Sequence, residues 1–369
     1  MAISTAWKYK ALVRVNPSFV DQNLSGFPFA LTNLNLPLDM ITANGSKACK
    51  EDGEDIRLTT DAAGLNEIPV EITYCDLQEN PAESKIEIWA KGDVVTGAYS
   101  YFWVWWGNPS ATEPSPSSTF GWYNVWDSNF KLVSHYSNYI GDSTSNDYPA
   151  TNNGSTFDST KSAAGVGSQK FVRASAQYID YGNILNLTEN ITLEIVMRLA
   201  SLDAGVTYGF MGKGDHQYHM GKNSIGANIE GMVAHYAPNW KVSHLDSNPD
   251  LNTWFYMAGR RDNYNQIIEC FLNGVPQSEA VSSTGVSTSS GLFVVGTNGE
   301  FLTERNLDGW VEEVRVSDGY RSNAWLKASQ AAILTPASFI TVFDTVPAFG
   351  GADNAILRGI NRGLSKGVC

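Results

Sequence analysis

Short strand-like runs, separated by turn residues, fill almost the whole length of this 369-residue sequence. They alternate apolar with polar residues or are rich in β-branched and aromatic residues, and they lie at residues 11–15, 85–89, 99–106, 191–199, 254–259, 267–272, 292–296 and 310–316. Asn273 and Gly274 follow one run directly, and both tolerate the positive φ angles of a type I′ hairpin turn. Only one short helix is predicted, near residues 323–333, which is rich in good helix formers. The pattern predicts an all-β fold of β-sandwich (jelly-roll) domains rather than an α/β enzyme.

Length and charge further limit the kinds of protein that this sequence can encode. Single cores rarely grow beyond about 250 residues, so this length predicts two domains. The formal net charge of −13 argues against binding a nucleic-acid backbone. No apolar run approaches the ~20 residues of a membrane-spanning helix, so no membrane insertion is expected. Residues 1–8 lack a basic segment followed by an apolar one, so no secretory signal peptide is expected.

The run at residues 99–106 is the most aromatic part of the chain and reads Tyr-Ser-Tyr-Phe-Trp-Val-Trp-Trp. Trp103 and Trp105 would share one face of a strand and Trp106 the other. Apolar residues on both faces indicate a strand that is covered on both sides. These tryptophans are therefore predicted to belong to a core rather than to a ligand site.

Two stretches resemble known families. The first reads Phe-Trp-Val-Trp-Trp-Gly-Asn-Pro at residues 102–109 and has further matches at residues 7–10, 27–31, 54–58, 68–72, 88–91 and 125–127. It resembles an uncharacterised β-rich domain of microbial and viral surface proteins that commonly precedes a lectin-like domain. The second reads Leu-Asp-Gly-Trp-Val-Glu-Glu-Val-Arg-Val-Ser at residues 307–317, with further matches at residues 191–196, 212–215, 252–259, 270–274 and 321–328. It resembles the last strand and closing helix of a concanavalin A-like domain of the laminin-G type.

The resemblance implies a domain organisation. We expect an N-terminal β-sandwich scaffold domain at residues 1–127, a concanavalin A-like lectin domain at residues 128–342 and a C-terminal tail at residues 343–369. Composition alone would make the polar segment 137–167 a linker, but in such domains it belongs to the opening of the second sandwich. We therefore expect a long surface loop there. The tail is interpreted as a loosely ordered terminus, with a docking arm as the alternative.

Carboxylate pairs matter because concanavalin A-like sandwiches include glycosidases. Retaining hydrolysis requires two carboxyl groups about 5–5.5 Å apart, and a related enzyme group takes its acids from a Glu-x-Asp-x-x-Glu strand, which this sequence lacks. Glu312 and Glu313 are adjacent in a predicted strand, so they are expected to point to opposite faces and cannot flank one bond. The expectation is a non-enzymatic protein with no catalytic residues, and a glycoside hydrolase is the less favoured alternative.

The histidines are the next candidates, because four of the five lie within residues 216–244. Clustered histidine and aspartate residues can bind a metal ion. However, His216 and His219 are three apart in a strand-like segment and would face opposite sides, so solvated loop histidines are the favoured interpretation. The laminin-G resemblance implies Ca²⁺ as the one cofactor to consider, held by aspartates and carbonyl oxygens. No metal ligands can be assigned.

The segment 235–240 is the candidate glycan site. It reads His-Tyr-Ala-Pro-Asn-Trp and so combines aromatic rings with hydrogen-bonding groups. The alternative is that its aromatic residues cover the edge of the sandwich. The predicted ligand-binding set is Asp215, Tyr218, His235, Tyr236, Asn239, Trp240 and Asp246.

The cysteines show no spacing typical of a zinc site. They are interpreted as buried or unreactive thiols, and a Cys49–Cys75 disulfide is the alternative in an oxidising compartment.

These observations lead to an expectation about function. We expect a structural protein of a bacteriophage virion, in the tail, baseplate or head surface, that displays a lectin-like domain for host-surface glycans. Its expected partners are other virion proteins or further copies of itself. It would reach the cell exterior on the particle, without a signal peptide. The alternative is a secreted or cell-surface microbial carbohydrate-binding and adhesion module.

Overall fold

The computed structural model describes residues 3–137, 139–214, 217–236, 239–281, 286–299 and 302–349. These residues form strands and only two α-helices, which confirms the predicted all-β fold class. None of the described helices is long and apolar enough to cross a membrane. The first strands are β1 (Tyr9–Val15), β2 (Leu24–Thr32), β3 (Arg57–Thr59), β4 (Glu67–Ile68), β5 (Val70–Asp76), β6 (Lys85–Val94) and β7 (Ser100–Trp106).

Fifteen further strands follow, from β8 (Phe130–Ser134) through β9 (Thr151–Asn153), β10 (Thr156–Asp158), β11 (Ser168–Phe171), β12 (Tyr178–Asp180), β13 (Ile191–Leu199), β14 (Tyr208–Lys213), β15 (Tyr218–Lys222), β16 (Glu230–Tyr236), β17 (Asn239–His244), β18 (Trp254–Asp262), β19 (Ile267–Leu272), β20 (Val275–Val281) and β21 (Phe293–Val295) to β22 (Gly309–Ser317). The last described elements are α1 (Asn323–Leu334), α2 (Pro336–Phe339), β23 (Ile340–Val342) and β24 (Val346–Pro347). Single-turn 3₁₀ helices occur at Pro17–Phe19, Trp122–Asn124 and Arg173–Ser175.

The described chain divides into two compact units. The first contains residues 3–18, 25–125 and 337–349, and the second contains residues 19–24 and 126–336. The sequence predicts a boundary at residue 127 and a second domain that extends to residue 342. The structure instead assigns residues 337–349 to the first unit. The cause is backbone pairing, because β23 and β24 both pair antiparallel with β1. These strands therefore complete a sheet of the first unit.

The first unit contains two antiparallel sheets. One has the order β23-β1-β7-β3-β4, with β24 also paired to β1, and the other has the order β2-β6-β5. Trp103, Trp105 and Trp106 of β7 are all buried, which confirms their predicted place in a core. Lys10 of β1 is buried as well. Its Nζ donates to the carbonyl of Ala62 at 2.7 Å and lies 4.7 Å from the ring centre of Trp105, so the buried ammonium keeps favourable contacts.

The second unit contains two larger antiparallel sheets. One has the order β10-β11-β22-β13-β18-β19-β20, with β8 also paired to β22, and the other has the order β17-β16-β15-β14-β21-β12-β9. Strand side chains alternate between faces, so each sheet can bury one apolar face. Both sheets contribute to one core, whose members include Leu193, Ile195, Met197, Phe210, Tyr218, Met220, Met232, Met257, Val311, Val314 and Val316. This arrangement confirms a sandwich.

Local signals in the sequence agree with the structure at several points. Asn273 and Gly274 have φ angles of 50° and 74°, as predicted for the hairpin between β19 and β20. Helix α1 begins after Ser322, whose side chain accepts a hydrogen bond from the backbone N–H of Trp325. The segment 137–167 differs from the predicted long loop, because it contains β9 and β10, which pair with β12 and β11.

A largely buried ion pair joins the beginning of the second unit to the start of α1. Arg321 donates to the two carboxylate oxygens of Asp127 at 2.7 and 2.8 Å. Its guanidinium carbon also lies 4.2 Å from the ring centre of Phe130 and 4.3 Å from that of Trp325. Burial favours the protonated acid, but the hydrogen bonds from Arg321 outweigh it and hold the pKa of Asp127 below its usual value.

Two adjacent glutamates of β22 have different partners. Glu313 lies 2.7 Å from Nδ1 of His135 and accepts a hydrogen bond from Nε of Arg315 at 2.7 Å. Glu312 accepts hydrogen bonds from the backbone and side chain of residues 162–164. The register against β13 shifts at Glu312, which forms a β-bulge, so the simple alternation behind the prediction of opposite faces does not hold there. Both carboxylates are buried in structural contacts.

The ion pair of Asp127 generates a first prediction. We expect Asp127→Asn to lower the free energy of unfolding by about 1–3 kcal/mol, because Arg321 stays buried without its charged acceptor. Urea unfolding followed by circular dichroism measures the change. The matched control is Asp21→Asn, which breaks an exposed ion pair with Lys327 and should cost less than about 0.5 kcal/mol. Equal losses in the two variants would contradict the prediction.

Glu313 generates a second prediction, on pH. Burial raises the pKa of Glu313, but His135 and Arg315 outweigh this effect and hold the pKa below its ordinary value of 4.5. Its stabilising contribution is therefore complete above that value and is lost as the pH falls through the folded-state pKa. We expect Glu313→Gln to cost about 3 kcal/mol at neutral pH.

The difference in unfolding free energy between the wild-type protein and Glu313→Gln should shrink as the pH is lowered below 4.5, the ordinary pKa of this carboxyl. Urea titrations at a series of pH values measure it. Glu279→Gln, which changes an exposed glutamate of β20, is the control and should show little difference at any pH. A difference for Glu313→Gln that stays constant, or grows in acid, would refute the proposed role of the carboxylate.

Candidate functional site

An open cleft of about 400 Å³ lies on the seven-stranded sheet of the second unit. Its lining mixes charged, polar and aromatic side chains, a composition suited to a polar ligand that also has apolar faces. The lining residues are Thr207, Tyr208, His219, Lys222, Asn223, Ser224, Glu230, Val233, Trp240, Val242, Asn298 and Arg305.

Residues paired across adjacent strands form one row of this cleft. His219 of β15 lies opposite Val233 of β16, which lies opposite Val242 of β17. Directly opposed residues share one face of a sheet, so all three side chains point to the same side. Gly212 of β14 is the next member of the row, and a Cβ atom there would lie 2.4 Å from Cβ of His219. Glycine at this position therefore leaves room for His219.

Trp240 forms the aromatic wall of the cleft. It lies in the edge strand β17 opposite His235, with the two ring centres 4.5 Å apart, and its ring centre is 6.0 Å from that of His219. Nδ1 of His235 lies 2.9 Å from the hydroxyl oxygen of Ser287. The indole is thus held between two imidazoles while 40% of the residue stays exposed. A fixed, accessible indole is a preorganised platform for a flat apolar surface.

Charged groups also lie along the cleft. Lys222 is buried, and its Nζ donates to the carbonyl oxygens of Asp203 and Val206 at 3.2 and 3.3 Å. Glu230 is the carboxylate among the described lining residues, and its Oε1 lies 4.0 Å from Nε2 of His244. The cleft therefore offers both donors and acceptors at defined positions.

The structure brings only part of the predicted ligand-binding set to this cleft. Trp240 lines it, and His235 supports the indole from β16. Asn239 is exposed at the start of β17, next to Trp240. Asp246 is exposed in the loop that follows β17, and Asp215 lies outside the described residues.

Tyr218 and Tyr236 are buried, which corrects their prediction as ligand-binding residues. The hydroxyl of Tyr218 donates to the carbonyl of Leu185 at 2.7 Å, within the main core. Tyr236 packs in a small apolar cluster of its own. Strand alternation is the reason, because each tyrosine points away from the face that carries its neighbour, His219 or His235.

Most lining residues have no counterpart in the predicted set, among them Lys222, Glu230, Asn298, Arg305 and His219. They come from different strands and from a segment some seventy residues further along, so no local motif unites them. The interpretation of the histidines as solvated loop residues is wrong for His219, which lies in β15 and is 9% exposed. The alternation of apolar and polar residues in β15 was the one local signal for its position.

Three buried side chains of the second unit that could bind a metal ion, Asp142, His135 and Glu313, are engaged in hydrogen bonds. Asp142 accepts bonds from the backbone N–H groups of Val133, Thr144 and Tyr148, which organises the loop after β8. Burial raises the pKa of Asp142 to about 6 despite these bonds. His135 and Glu313 offer atoms of the type that binds metals, but they contact each other at 2.7 Å. Calcium binding stays a prediction without assigned ligands.

A family model matches part of the second unit. Residues 173–327 match the Laminin_G_3 family model, described as the concanavalin A-like lectin/glucanases superfamily. No curated protein matches the sequence.

Among solved structures, domain 4 of AbnA, a GH43 extracellular arabinanase from Geobacillus stearothermophilus in complex with arabinotriose, is similar at 16% identity and a TM-score of 0.45, covering 54% of this chain and 97% of that one. The botulinum neurotoxin serotype D binding domain is similar at 13% identity and a TM-score of 0.43, covering 55% of this chain and 51% of that one. The binding domain of Paraclostridial Mosquitocidal Protein 1 has 10% identity, a TM-score of 0.45 and coverages of 55% and 52%.

The chain therefore spans about half the length of the two toxin binding domains. The residues that match the family model lie within the second unit. Residues 173–327 are thus similar to concanavalin A-like domains of the laminin-G type.

Proposed function

We propose that the second unit binds carbohydrate in the cleft beside Trp240. The observation that carries this proposal is the fixed indole, 40% exposed, on the wall of a polar cleft. A pyranose ring has a flat face of C–H groups and a rim of hydroxyls, so it needs an aromatic plane and hydrogen-bonding groups together. The match of residues 173–327 to the concanavalin A-like lectin/glucanases superfamily supports the proposal.

The polar groups around the indole match the rim of a sugar. Each hydroxyl both donates and accepts a hydrogen bond. Glu230 supplies acceptor oxygens, Asn298 supplies an amide with both functions, and His219 supplies ring nitrogens. These side chains project from strands or from a segment bonded to β14, which keeps their positions defined before a ligand arrives.

We further propose binding without hydrolysis. Glycoside hydrolysis uses two carboxyl groups that flank the scissile bond. Glu312 and Glu313, the adjacent acids of β22, are buried and accept hydrogen bonds from the protein itself. Their geometry supports a structural role. Release of reducing sugar from a broad polysaccharide panel by the purified protein would overturn this part of the proposal.

The role of Trp240 is testable by substitution. We expect Trp240→Ala to weaken binding to the best oligosaccharide of a printed glycan array by at least about tenfold, because aromatic stacking and burial are worth more than 1.4 kcal/mol. Calorimetry with that oligosaccharide measures the change. Tyr264→Ala is the control, because Tyr264 is 90% exposed in the β18–β19 hairpin and is not among the lining residues. If Trp240→Ala bound the oligosaccharide as tightly as the wild-type protein, or if both variants lost the same affinity, the proposed site would be wrong.

Calcium dependence is a separate proposal that rests on the laminin-G resemblance. The same array is to be probed in buffer with Ca²⁺ and after dialysis against EDTA. Loss of binding in EDTA that Ca²⁺ restores would support a resident ion, because oxygen ligands of Ca²⁺ often order binding loops. Identical profiles in the two buffers would contradict it.

We also propose that the protein is displayed on a bacteriophage particle and presents this unit to host-surface glycans. The support is the resemblance of residues 7–127 to domains of microbial and viral surface proteins. Antibody labelling of intact virions tests the proposal, and particles that lack the protein would end it.

The alternative, a secreted or cell-surface adhesion module, predicts a Cys49–Cys75 disulfide, and intact free thiols in the native protein would count against it.

A further inference from the structure

Two cations and two tryptophans form a row across the eight-stranded sheet of the second unit. Lys170 of β11 lies opposite Trp310 of β22, Trp310 lies opposite Arg198 of β13, and Arg198 lies opposite Trp254 of β18. Directly opposed residues share a face, so all four side chains are on one side of the sheet. This is the side away from the core, because the adjacent residues Phe171, Val311, Met197, Leu199 and Phe255 belong to the core. All four members are partly exposed.

Trp310 holds the two cations in place. Nζ of Lys170 lies 5.7 Å from the ring centre of Trp310, and the guanidinium carbon of Arg198 lies 5.4 Å from it. These distances are those of cation–π contacts. Nε1 of Trp310 donates to Asp158 at 3.0 Å, which fixes the orientation of the indole. The tryptophan therefore acts as a spacer between two positive charges.

Lys170 and Arg198 differ from a group of other cations in the second unit. Lys131, Arg260, Arg315, Arg321 and Lys327 each pair with a carboxylate. In the described part of the chain, neither Lys170 nor Arg198 has a carboxylate within ion-pair distance, and Nε of Arg198 is buried without a hydrogen-bond partner. Two cations held on a rigid sheet, neither in direct ion-pair contact with a carboxylate of the described residues, offer binding groups for anions.

The spacing of the row indicates the kind of anion. Lys170 and Arg198 are two strands apart, or about 10 Å, and the whole row spans about 14 Å. Charges at this spacing match anionic groups on alternate residues of an extended acidic saccharide chain. A nucleic acid has a much denser array of charges, and the chain's net charge of −13 opposes its approach. We propose that this row binds carboxylate-bearing polysaccharides, at a second site on the opposite sheet from the Trp240 cleft.

The experiment compares polygalacturonate with its fully methyl-esterified form, which has the same backbone without the charges. Binding of the full-length protein to each polymer is measured by calorimetry at several NaCl concentrations. We expect binding to polygalacturonate that weakens with salt, and at least tenfold weaker binding to the ester. Equal binding to the two polymers would overturn the proposal, and so would equal or tighter binding to single-stranded DNA of similar length.

Substitutions then locate the site. Lys170→Gln combined with Arg198→Gln should reduce the affinity for polygalacturonate at least tenfold and reduce the slope of log affinity against log salt by about two, one for each cation. Lys131→Gln removes a cation that already has a carboxylate partner, Asp318, and should leave both quantities nearly unchanged. Unfolding curves check that every variant is folded. An affinity unchanged in the double variant would refute the site.

Trp240→Ala separates this inference from the proposed function of the cleft. We expect that variant to keep its affinity for polygalacturonate, whereas the double variant should keep its affinity for the best oligosaccharide of the array. If Trp240→Ala removed polygalacturonate binding instead, the acidic polymer would belong to the cleft, and the row of cations would have only a structural role.

Discussion

The pleat of β22 is the constraint on which much of the second unit depends. Strand residues alternate between faces, and the β-bulge at Glu312 shifts this alternation by one residue. Val311, Val314 and Val316 therefore all enter the core. The side chains outside the core make different contacts along the strand. Trp310 contacts cations, and Glu313 forms ion pairs. A shift of one residue would exchange both sets, and pairing with β8, β11 and β13 opposes such a shift.

The first unit depends on the backbone pairing of β1. This strand pairs with β7 on one side and with β23 and β24 on the other, so its backbone N–H and C=O groups find partners on both sides. The residues that pair, such as Val13 and Val342, are far apart in sequence. Closing this sheet requires long-range contacts, which form slowly compared with local ones. The sheet is complete only when the C-terminal strands are available.

The two proposed ligand sites follow from one property of a sandwich. Each sheet uses one face for the common core, which leaves the other face to interact with solvent or ligands. On the seven-stranded sheet, Trp240 is held by histidines. On the eight-stranded sheet, Trp310 is held between cations. In both cases an aromatic ring is fixed by neighbours across the strands, because opposed side chains lie within reach of one another.

The sequence by itself determined the fold class, most strands, the α1 helix, the β19–β20 hairpin and the burial of the β7 tryptophans. These features depend on local periodicity and turn chemistry, which any window of the chain contains. It also pointed to Trp240 and His235. Only the tertiary structure decided that Tyr218 and Tyr236 face inward, that His219 and Lys222 join Trp240, and that β23 belongs to the first unit. Those outcomes depend on strand register and on pairings between distant segments, which no local pattern encodes.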